Sequence, residues 1–219
     1  MKPTSNTRQL SWYDPFLIEI DSALRSLLKP DHRVGTRSSP ADAFEDASLS
    51  PAEQRQVIGF TRVNHAGEIC AQALYRGQAL TAQDELIHAQ MMEAADEERD
   101  HLAWCEQRLD ELGGKTSVLN GMWYMGSFLL GAVAGLVGDR WSLGFVAETE
   151  RQVQAHLQGY LARLPTQDHK TKAIFETMEA EEAVHANTAR VAGAATLPEP
   201  IKRAMHGMSR LLTYASYYM

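Results

Sequence analysis

The chain has 219 residues, of which 44% are hydrophobic, and a formal net charge of −7. This length can bury one sizeable core, and the acidic balance argues against nucleic acid as a partner. Cys70 and Cys105 stand far apart, so neither a disulfide framework nor a zinc knuckle is expected. The first residues lack a basic head followed by an apolar run, so no secretory signal is expected.

The chain begins with an amphipathic pattern, which is followed by a segment rich in proline and turn residues. Residues 12–28 predict a short amphipathic helix, and residues 29–50, with their prolines, glycine and serines, predict a linker. We therefore divide the chain into an N-terminal helix with linker, residues 1–50, and a helical bundle, residues 51–219.

Local signals predict the helices of the bundle. Residues 50–53 form a capping box with proline at the first helical position, and the pattern continues to about Leu80. Thr81 with Asp84 is predicted to cap a second long helix that ends at Gly113. Further helices are expected over about 140–164, 167–193 and 198–219. No stretch alternates with period two, so the predicted fold class is all-α.

Residues 116–138 contain no charged side chain, a run of 23 positions. That length exceeds the roughly 18 residues that make a candidate membrane span. Five glycines dilute the apolar character of the segment. A membrane span, a segment that contacts a membrane or a substrate, and a plain core helix all fit this description.

The sequence contains three Glu-x-x-His pairs: Glu85 with His88, Glu98 with His101, and Glu182 with His185. The second and third pairs fall inside the apolar stripes of their helices. Glu85 lies about 220° round the helix from Glu98, so we interpret the first pair as unrelated to a buried site. Neighbouring acidic and basic residues are expected to point away from the site or to solvent: Glu97, Arg99, Asp100, Glu148, Glu179 and Glu181.

Two further glutamates should lie level with the buried pairs. Glu68 precedes Glu98 by 30 residues and Glu150 precedes Glu182 by 32. In an antiparallel hairpin, residues about 30 apart meet at one height, because the second helix retraces the rise of the first. Buried carboxylates need a partner or a metal ion. Four carboxylates would balance two divalent cations.

The resulting ligand set is two lone glutamates and two Glu-x-x-His pairs directed at one bundle axis. An oxygen-rich set with one histidine for each ion suits iron or manganese better than zinc. The same arrangement is typical of ferritin-like four-helix bundles with a di-metal carboxylate centre. We therefore predict that fold, with additional helices, and that centre.

Two other residues near this centre have open roles. His156 lies about 120° from the apolar stripe of its helix, so it is a rim histidine or a proton shuttle. Tyr75 is interpreted as a packing residue in preference to a radical tyrosine.

A centre of this kind can store iron, dismutate peroxide, generate a radical or activate dioxygen. Storage in a closed polar shell fits poorly with the uncharged segment and the apolar C-terminal residues. An oxygenase acting on a lipid-soluble substrate uses both, because amphipathic helices on a bilayer can admit such a molecule to the metals.

Four motifs carry a resemblance to a known family: "RVNHAGEICAQALYRGQ", "EERDHL", "ETERQVQAHL" and "EAEEAVHANT". They closely resemble the demethoxyubiquinol hydroxylases of ubiquinone biosynthesis, over about residues 55–219. The resemblance implies that one iron is bound by Glu68, Glu98 and His101 and the other by Glu150, Glu182 and His185. It also implies that Glu98 and Glu182 bridge the two irons.

The same resemblance bears on His156, which matches a family histidine and so becomes a candidate electron or proton relay. The family often has a tyrosine at the next position, where this chain has Leu157. A mechanism that needs that phenol is therefore not expected here.

The activity that the resemblance implies is a di-iron monooxygenase reaction, with two Fe2+ ions, dioxygen as co-substrate and an external reductant for which NADH is a candidate. The substrate would be a polyprenyl benzoquinol. Other ubiquinone-biosynthesis proteins and a membrane surface would be partners, at the cytoplasmic face of the bacterial inner membrane. The alternatives are a ferritin-like iron or manganese protein without oxygenase activity and a quinol-binding regulatory bundle.

Overall fold

The computed structural model describes residues 14–28 and 35–219, and in these ranges every regular element is helical. The α-helices are α1 (Asp14–Leu27), α2 (Pro51–Thr81), α3 (Glu85–Glu111), α4 (Asn120–Val137), α5 (Asp139–Leu161), α6 (His169–Val191) and α7 (Glu199–Tyr218), and a 3-10 helix (Pro40–Ala43) precedes α2. The predicted all-α class is confirmed. Residues 12 and 13 of the predicted first helix and residues 29–34 of the predicted linker lie outside the described residues.

The start of α2 follows the sequence signal. The Glu53 amide donates to Ser50 Oγ at 3.3 Å, and the Ser50 amide donates to the Glu53 carboxylate at 2.8 Å. Pro51 occupies the first helical position, where a missing amide proton costs nothing. The predicted capping box is confirmed.

The start of α3 differs from the prediction. Asp84 alone caps the helix, by accepting a hydrogen bond from the Leu86 amide at 2.7 Å. Thr81 is instead the last residue of α2, and its hydroxyl donates to the Ala132 carbonyl of α4 at 3.0 Å. The prediction of Thr81 as a cap was wrong because this hydroxyl holds a neighbouring helix.

Helices α2, α3, α5 and α6 form the bundle, with α2 packed against α3 and α5 packed against α6. One apolar cluster includes Phe60, Trp104, Leu157, Phe175 and Met178, and a second includes Tyr75, Met91, Leu143, Val146 and Ala189. On each of the four helices the predicted site glutamate falls between residues of the two clusters. The site therefore lies in the middle of the bundle, with apolar layers on both sides.

Helix α4 carries the uncharged segment and packs along α2. Gly131 makes this possible, because a Cβ atom there would lie 2.1 Å from the Leu74 carbonyl oxygen. Gly131 thus serves close packing as well as diluting the apolar character of the segment.

The outer face of α4 is exposed and apolar. Among the described residues α4 is the one helix long and apolar enough to cross a membrane, and 22% of it is buried. Its 18 residues would rise about 27 Å, slightly less than the roughly 30 Å of a hydrocarbon core. An exposed stripe at helical spacing consists of Met122, Met125, Leu129, Val133 and Leu136. In the single chain α4 is therefore a surface helix, not a core helix.

Candidate metal centre

The structure brings the six predicted ligand residues together inside the bundle. Glu68 comes from α2, Glu98 and His101 from α3, and Glu182 from α6, and their ligand atoms all lie within 4.8 Å of one another. These four side chains are buried. Two further residues complete the cluster: Glu150 of α5 contacts Glu182, and His185 of α6 lies beside both Glu98 and Glu182.

The two histidines share those central glutamates, Glu98 and Glu182. His101 Nδ1 lies 2.9 Å from Glu98 Oε2 and 3.3 Å from Glu182 Oε1. His185 Nδ1 lies 3.2 Å from Glu182 Oε2 and 3.6 Å from Glu98 Oε1. Each imidazole thus presents Nδ1 to both carboxylates.

The two outer glutamates take up opposite sides of this pair. Glu68 Oε2 lies 3.8 Å from His101 Nδ1. Glu150 contacts Glu182 and accepts a short hydrogen bond from the Tyr75 hydroxyl. The two lone glutamates therefore both reach the cluster, Glu68 beside His101 and Glu150 beside Glu182, as the spacing of about 30 residues predicts.

Burial sets the electrostatics of the cluster. It raises the pKa values of Glu98 and Glu150 well above their usual range, and the charge of Glu182 adds to both shifts. Burial opposes charge on His101, but the carboxylates around it, Glu98 foremost, raise its pKa well above the ordinary value. Without a metal the cluster therefore retains protons.

Several carboxylate oxygens in the cluster are buried without a hydrogen-bond partner. Within the described part of the chain these include Glu98 Oε1, Glu150 Oε2 and Glu182 Oε1. Buried acceptors of this kind are costly unless something binds them. Two divalent cations would satisfy these oxygens and offset the charge of four carboxylates. The donor set, mostly oxygen with one imidazole nitrogen for each ion, fits iron or manganese.

A second layer of carboxylates holds the histidine rings from behind. His101 Nε2 lies 2.8 Å from Glu181 Oε2, and His185 Nε2 lies 2.6 Å from Glu97 Oε2. Such partners fix the ring orientation and the tautomer of metal-binding histidines. The expectation that Glu97 and Glu181 point away from the site was wrong, because each reaches across to the histidine of the other helix.

The signal for these two residues was present in the sequence. Both motifs begin with a double glutamate, "EERDH" and "EEAVH". The second glutamate of each pair faces the cluster. The first lies 100° away on its helix, which is close enough to reach the neighbouring helix.

Two other expectations about orientation need correction. Asp100 is 2% exposed, because residues 35–37 lie against it. Glu148 points away from the cluster but is also buried, where it accepts hydrogen bonds from Arg151 at 2.7 Å and Gln152 at 2.8 Å.

Tyr75 does more than pack. Its buried hydroxyl donates to Glu150 Oε1, and burial raises its pKa well above the usual value, so it remains a donor. Its ring meets the His185 ring edge-on at 6.3 Å. The interpretation of Tyr75 as a packing residue is therefore incomplete, since it also orients a site carboxylate.

A cavity of about 550 Å³ opens beside the cluster, between α2, α4, α5 and α7. Its wall is largely apolar and includes Leu74, Leu130, Phe145, Met205, Met208 and Leu212. Glu68 and the half-buried His156 also line it. Burial, and then the charge of His206, lower the pKa of His156, so its imidazole is neutral near pH 7.

The first Glu-x-x-His pair belongs neither to the carboxylate cluster nor to the cavity wall. Glu85 and His88 are both exposed at the start of α3. Their interpretation as unrelated to the site agrees with this position.

The fold resembles that of a solved ferritin-like protein. The dodecameric thioferritin of Bacteroides fragilis, a bacterioferritin-related protein, matches with a TM-score of 0.53 at 20% identity, over 63% of this chain and 83% of that chain. At this identity the likeness concerns the fold alone, and it confirms the predicted ferritin-like bundle.

Sequence relatives extend over nearly the whole chain. A 3-demethoxyubiquinol 3-hydroxylase of Legionella pneumophila (strain Paris) is 58% identical over 212 residues, 97% of this chain and 100% of the relative. One from Dechloromonas aromatica is 52% identical over 204 residues, 93% of this chain and 98% of the relative. The family model of the ubiquinone biosynthesis protein COQ7 matches residues 55–216. The chain therefore belongs to the COQ7 family of ubiquinone biosynthesis proteins.

Proposed function

We propose that the chain is a 3-demethoxyubiquinol 3-hydroxylase, a di-iron monooxygenase that adds one oxygen atom of dioxygen to the ring of a polyprenylated demethoxyubiquinol. Relatives that carry that name match this chain over nearly their full length. One observation carries the proposal: Glu68 is both a member of the buried carboxylate cluster and part of the wall of the 550 Å³ apolar cavity. A quinol ring in the cavity would therefore lie against the metal centre.

The proposal assigns one iron to each half of the cluster. Glu68 and His101 would hold the first ion and Glu150 and His185 the second, with the two central glutamates between them. Bound iron would supply the reductive activation of dioxygen.

The cavity residues would bind and orient the quinol. The apolar wall excludes water and suits a methylated ring with its first isoprenoid units. Asn64 lines the cavity, and within the described residues its Nδ2 atom has no hydrogen-bond partner. Asn64 is therefore the polar group best placed to donate a hydrogen bond to a quinol oxygen.

His156 would act on the proton of a quinol hydroxyl. Its imidazole lines the same cavity and its lowered pKa keeps it neutral, so it has a free nitrogen lone pair near neutral pH. A general base needs both properties, namely contact with the substrate and an unprotonated nitrogen.

We further propose that the protein lies on a membrane, at the cytoplasmic face of a bacterial inner membrane. Leu130, Ile201 and Met208 line the cavity, and each is also at least 41% exposed. The cavity therefore opens at the exposed apolar surface of α4 and α7. A lipid-soluble quinol could enter there without crossing water.

Metal analysis followed by oxygen consumption tests this function. The reduced protein should contain two irons per chain and consume dioxygen only when a short-chain demethoxyubiquinol is supplied with a reductant such as NADH. Binding of iron or manganese with no quinol-dependent consumption would favour the ferritin-like protein without oxygenase activity. Quinol binding without any metal would favour a regulatory bundle.

A further inference from the structure

Arg37, which precedes the bundle by 14 residues, reaches the back of the metal centre. Its Nη1 and Nη2 atoms donate to the two oxygens of Glu181 at 2.6 and 3.0 Å, and its Nε donates to Asp100 Oδ2 at 2.7 Å. The guanidinium also lies over the Trp104 ring, 4.9 Å from the centroid. One side chain thus joins the segment before α2 to both α3 and α6.

Asp100 anchors the backbone that carries Arg37. Its buried carboxylate accepts hydrogen bonds from the Thr36 amide at 2.5 Å and the Thr36 hydroxyl at 2.9 Å. Gly35 allows the chain to come this close, since a Cβ atom there would lie 3.0 Å from Asp100 Oδ1. Ala41, a few residues later, is 2% exposed and belongs to an apolar core cluster. Residues 35–43 are therefore fixed to the bundle at two points.

We propose that Arg37 is a positioning residue for His101: it holds the Glu181 carboxylate against His101 Nε2, so that the ring presents Nδ1 to the metal. This inference rests on the proposed di-iron function. Glu181 Oε2 accepts from both His101 Nε2 and Arg37 Nη2. Because the planar guanidinium donates to both carboxylate oxygens, the partly exposed Glu181 side chain is kept from rotating away from His101.

Among the described residues, the other half of the centre has no such arginine. Glu97, which holds His185, has a side chain that is 50% exposed, and over residues 14–28 and 35–219 it forms no ion pair with an arginine or lysine. The two ion sites are therefore held unequally. Removal of Arg37 should weaken binding of the ion beside His101 and leave binding of the ion beside His185 unchanged.

Anaerobic titration of metal-free protein with Co2+, followed by its visible absorption, separates the two sites without measuring activity. In Arg37→Ala one of the two sites should bind more weakly, by up to the roughly 10- to 100-fold that loss of the partner of a metal-binding histidine costs, because Glu181 remains but is no longer held. The Co2+ affinity of that site in Arg37→Lys should lie between those of Arg37→Ala and wild type, because an ammonium group cannot hold Asp100 and Glu181 at the same time.

Arg151→Ala is the matched control. Arg151 grips both oxygens of Glu148 at 2.7 and 3.0 Å, in the same manner as Arg37 grips Glu181, but away from the centre. Both of its Co2+ affinities should equal those of wild type. Arg37→Lys keeps the positive charge, so it decides the matter if Arg37→Ala does not fold.

The route of the effect is tested in a Glu181→Gln background. If Arg37 acts through Glu181, adding Arg37→Ala to Glu181→Gln should change neither affinity further. Wild-type affinities at both sites in Arg37→Ala and Arg37→Lys, or equal weakening of both sites, would overturn the inference. Wild-type protein that binds no divalent ion would instead contradict the proposed function on which it rests.

Discussion

His101 and Glu98 meet inside the bundle, with Nδ1 2.9 Å from Oε2, although the same spacing on the same helix leaves Glu85 and His88 exposed. The two pairs occupy different faces of α3, and the exposed pair lies at its start. A Glu-x-x-His spacing therefore becomes a candidate metal site only where the helix buries it.

This difference predicts opposite outcomes for two substitutions of one residue type. Glu98→Ala removes one of the two central carboxylates and should abolish both two-iron binding and hydroxylation, as should Glu182→Ala. Glu85→Ala should affect neither. Iron content and quinol turnover of the three variants check this, with far-UV circular dichroism to show that each is folded. Retained activity in Glu98→Ala and Glu182→Ala would contradict the ligand assignment.

The stability of the metal-free protein should fall as the pH rises. The folded-state pKa values of Glu98, Glu150 and His101 are raised, and that of His185 is raised to about 10. At neutral pH the folded chain therefore holds more protons than the unfolded chain. Stability is fully present below the unfolded pKa values and is lost as the pH rises through the folded ones.

Thermal unfolding in the presence of a chelator, between about pH 6 and pH 8.5, measures this trend. A change of 1 kcal/mol in the free energy of unfolding shifts the unfolding temperature of a chain this size by about 2–4 °C. The unfolding temperature should therefore decrease by several degrees. Iron displaces the protons, and the stabilisation that it adds should therefore grow with pH. A metal-free midpoint that stays level or rises over this range would contradict the proposed electrostatics.

Filling the cavity should impair substrate binding without removing metal. Ala204 lies on α7 in the cavity wall, so Ala204→Trp should raise the KM for a demethoxyubiquinol by about tenfold or more, since it excludes apolar contacts worth ~1.5–3 kcal/mol. Ala155→Trp is the control, because Ala155 is exposed on α5 and lies outside the cavity. Iron content should be unchanged in both. An unaltered KM in Ala204→Trp would argue that the quinol binds elsewhere.

The exposed face of α4 should determine membrane binding. Leu129 is 59% exposed within the apolar stripe, so Leu129→Glu should lower the fraction of protein bound to phospholipid vesicles by about tenfold, through the loss of one buried leucine and the burial of a charge. Leu86→Glu changes a residue that is 72% exposed on α3 and should leave vesicle binding unchanged. Equal vesicle binding by wild type and Leu129→Glu would show that this face of α4 does not bind the membrane.

Much of the site could be predicted from sequence because the signals are local. Helix period and cap residues fix which face each glutamate occupies, and the spacing in a hairpin fixes its height. Glu68 and Glu150, which carry no motif of their own, could be found in this way. The same reasoning separates the exposed pair at the start of α3 from the two buried pairs.

The remaining features depend on contacts between segments far apart in the chain. Glu97 and Glu181 point at histidines 88 and 80 residues away, and no helical period describes such a crossing. Arg37 lies in a segment that reads as a linker, and its partner Glu181 is 144 residues away. The burial of Asp100 follows from that same segment. The double glutamate of each motif marks Glu97 and Glu181 as neighbours of the site, but a single sequence carries no local signal for the partners that these residues and Arg37 contact.

We propose that the chain inserts an oxygen atom from dioxygen into a quinol ring at the buried carboxylate cluster. Reduced, iron-loaded protein supplied with a short-chain demethoxyubiquinol and isotopically heavy dioxygen tests it most directly, with mass spectrometry of the product. We predict one heavy oxygen atom in the product ring, and none when Glu98→Ala protein is used. Product that carries oxygen from water, or no hydroxylated product from protein shown to hold two irons, would contradict the claim.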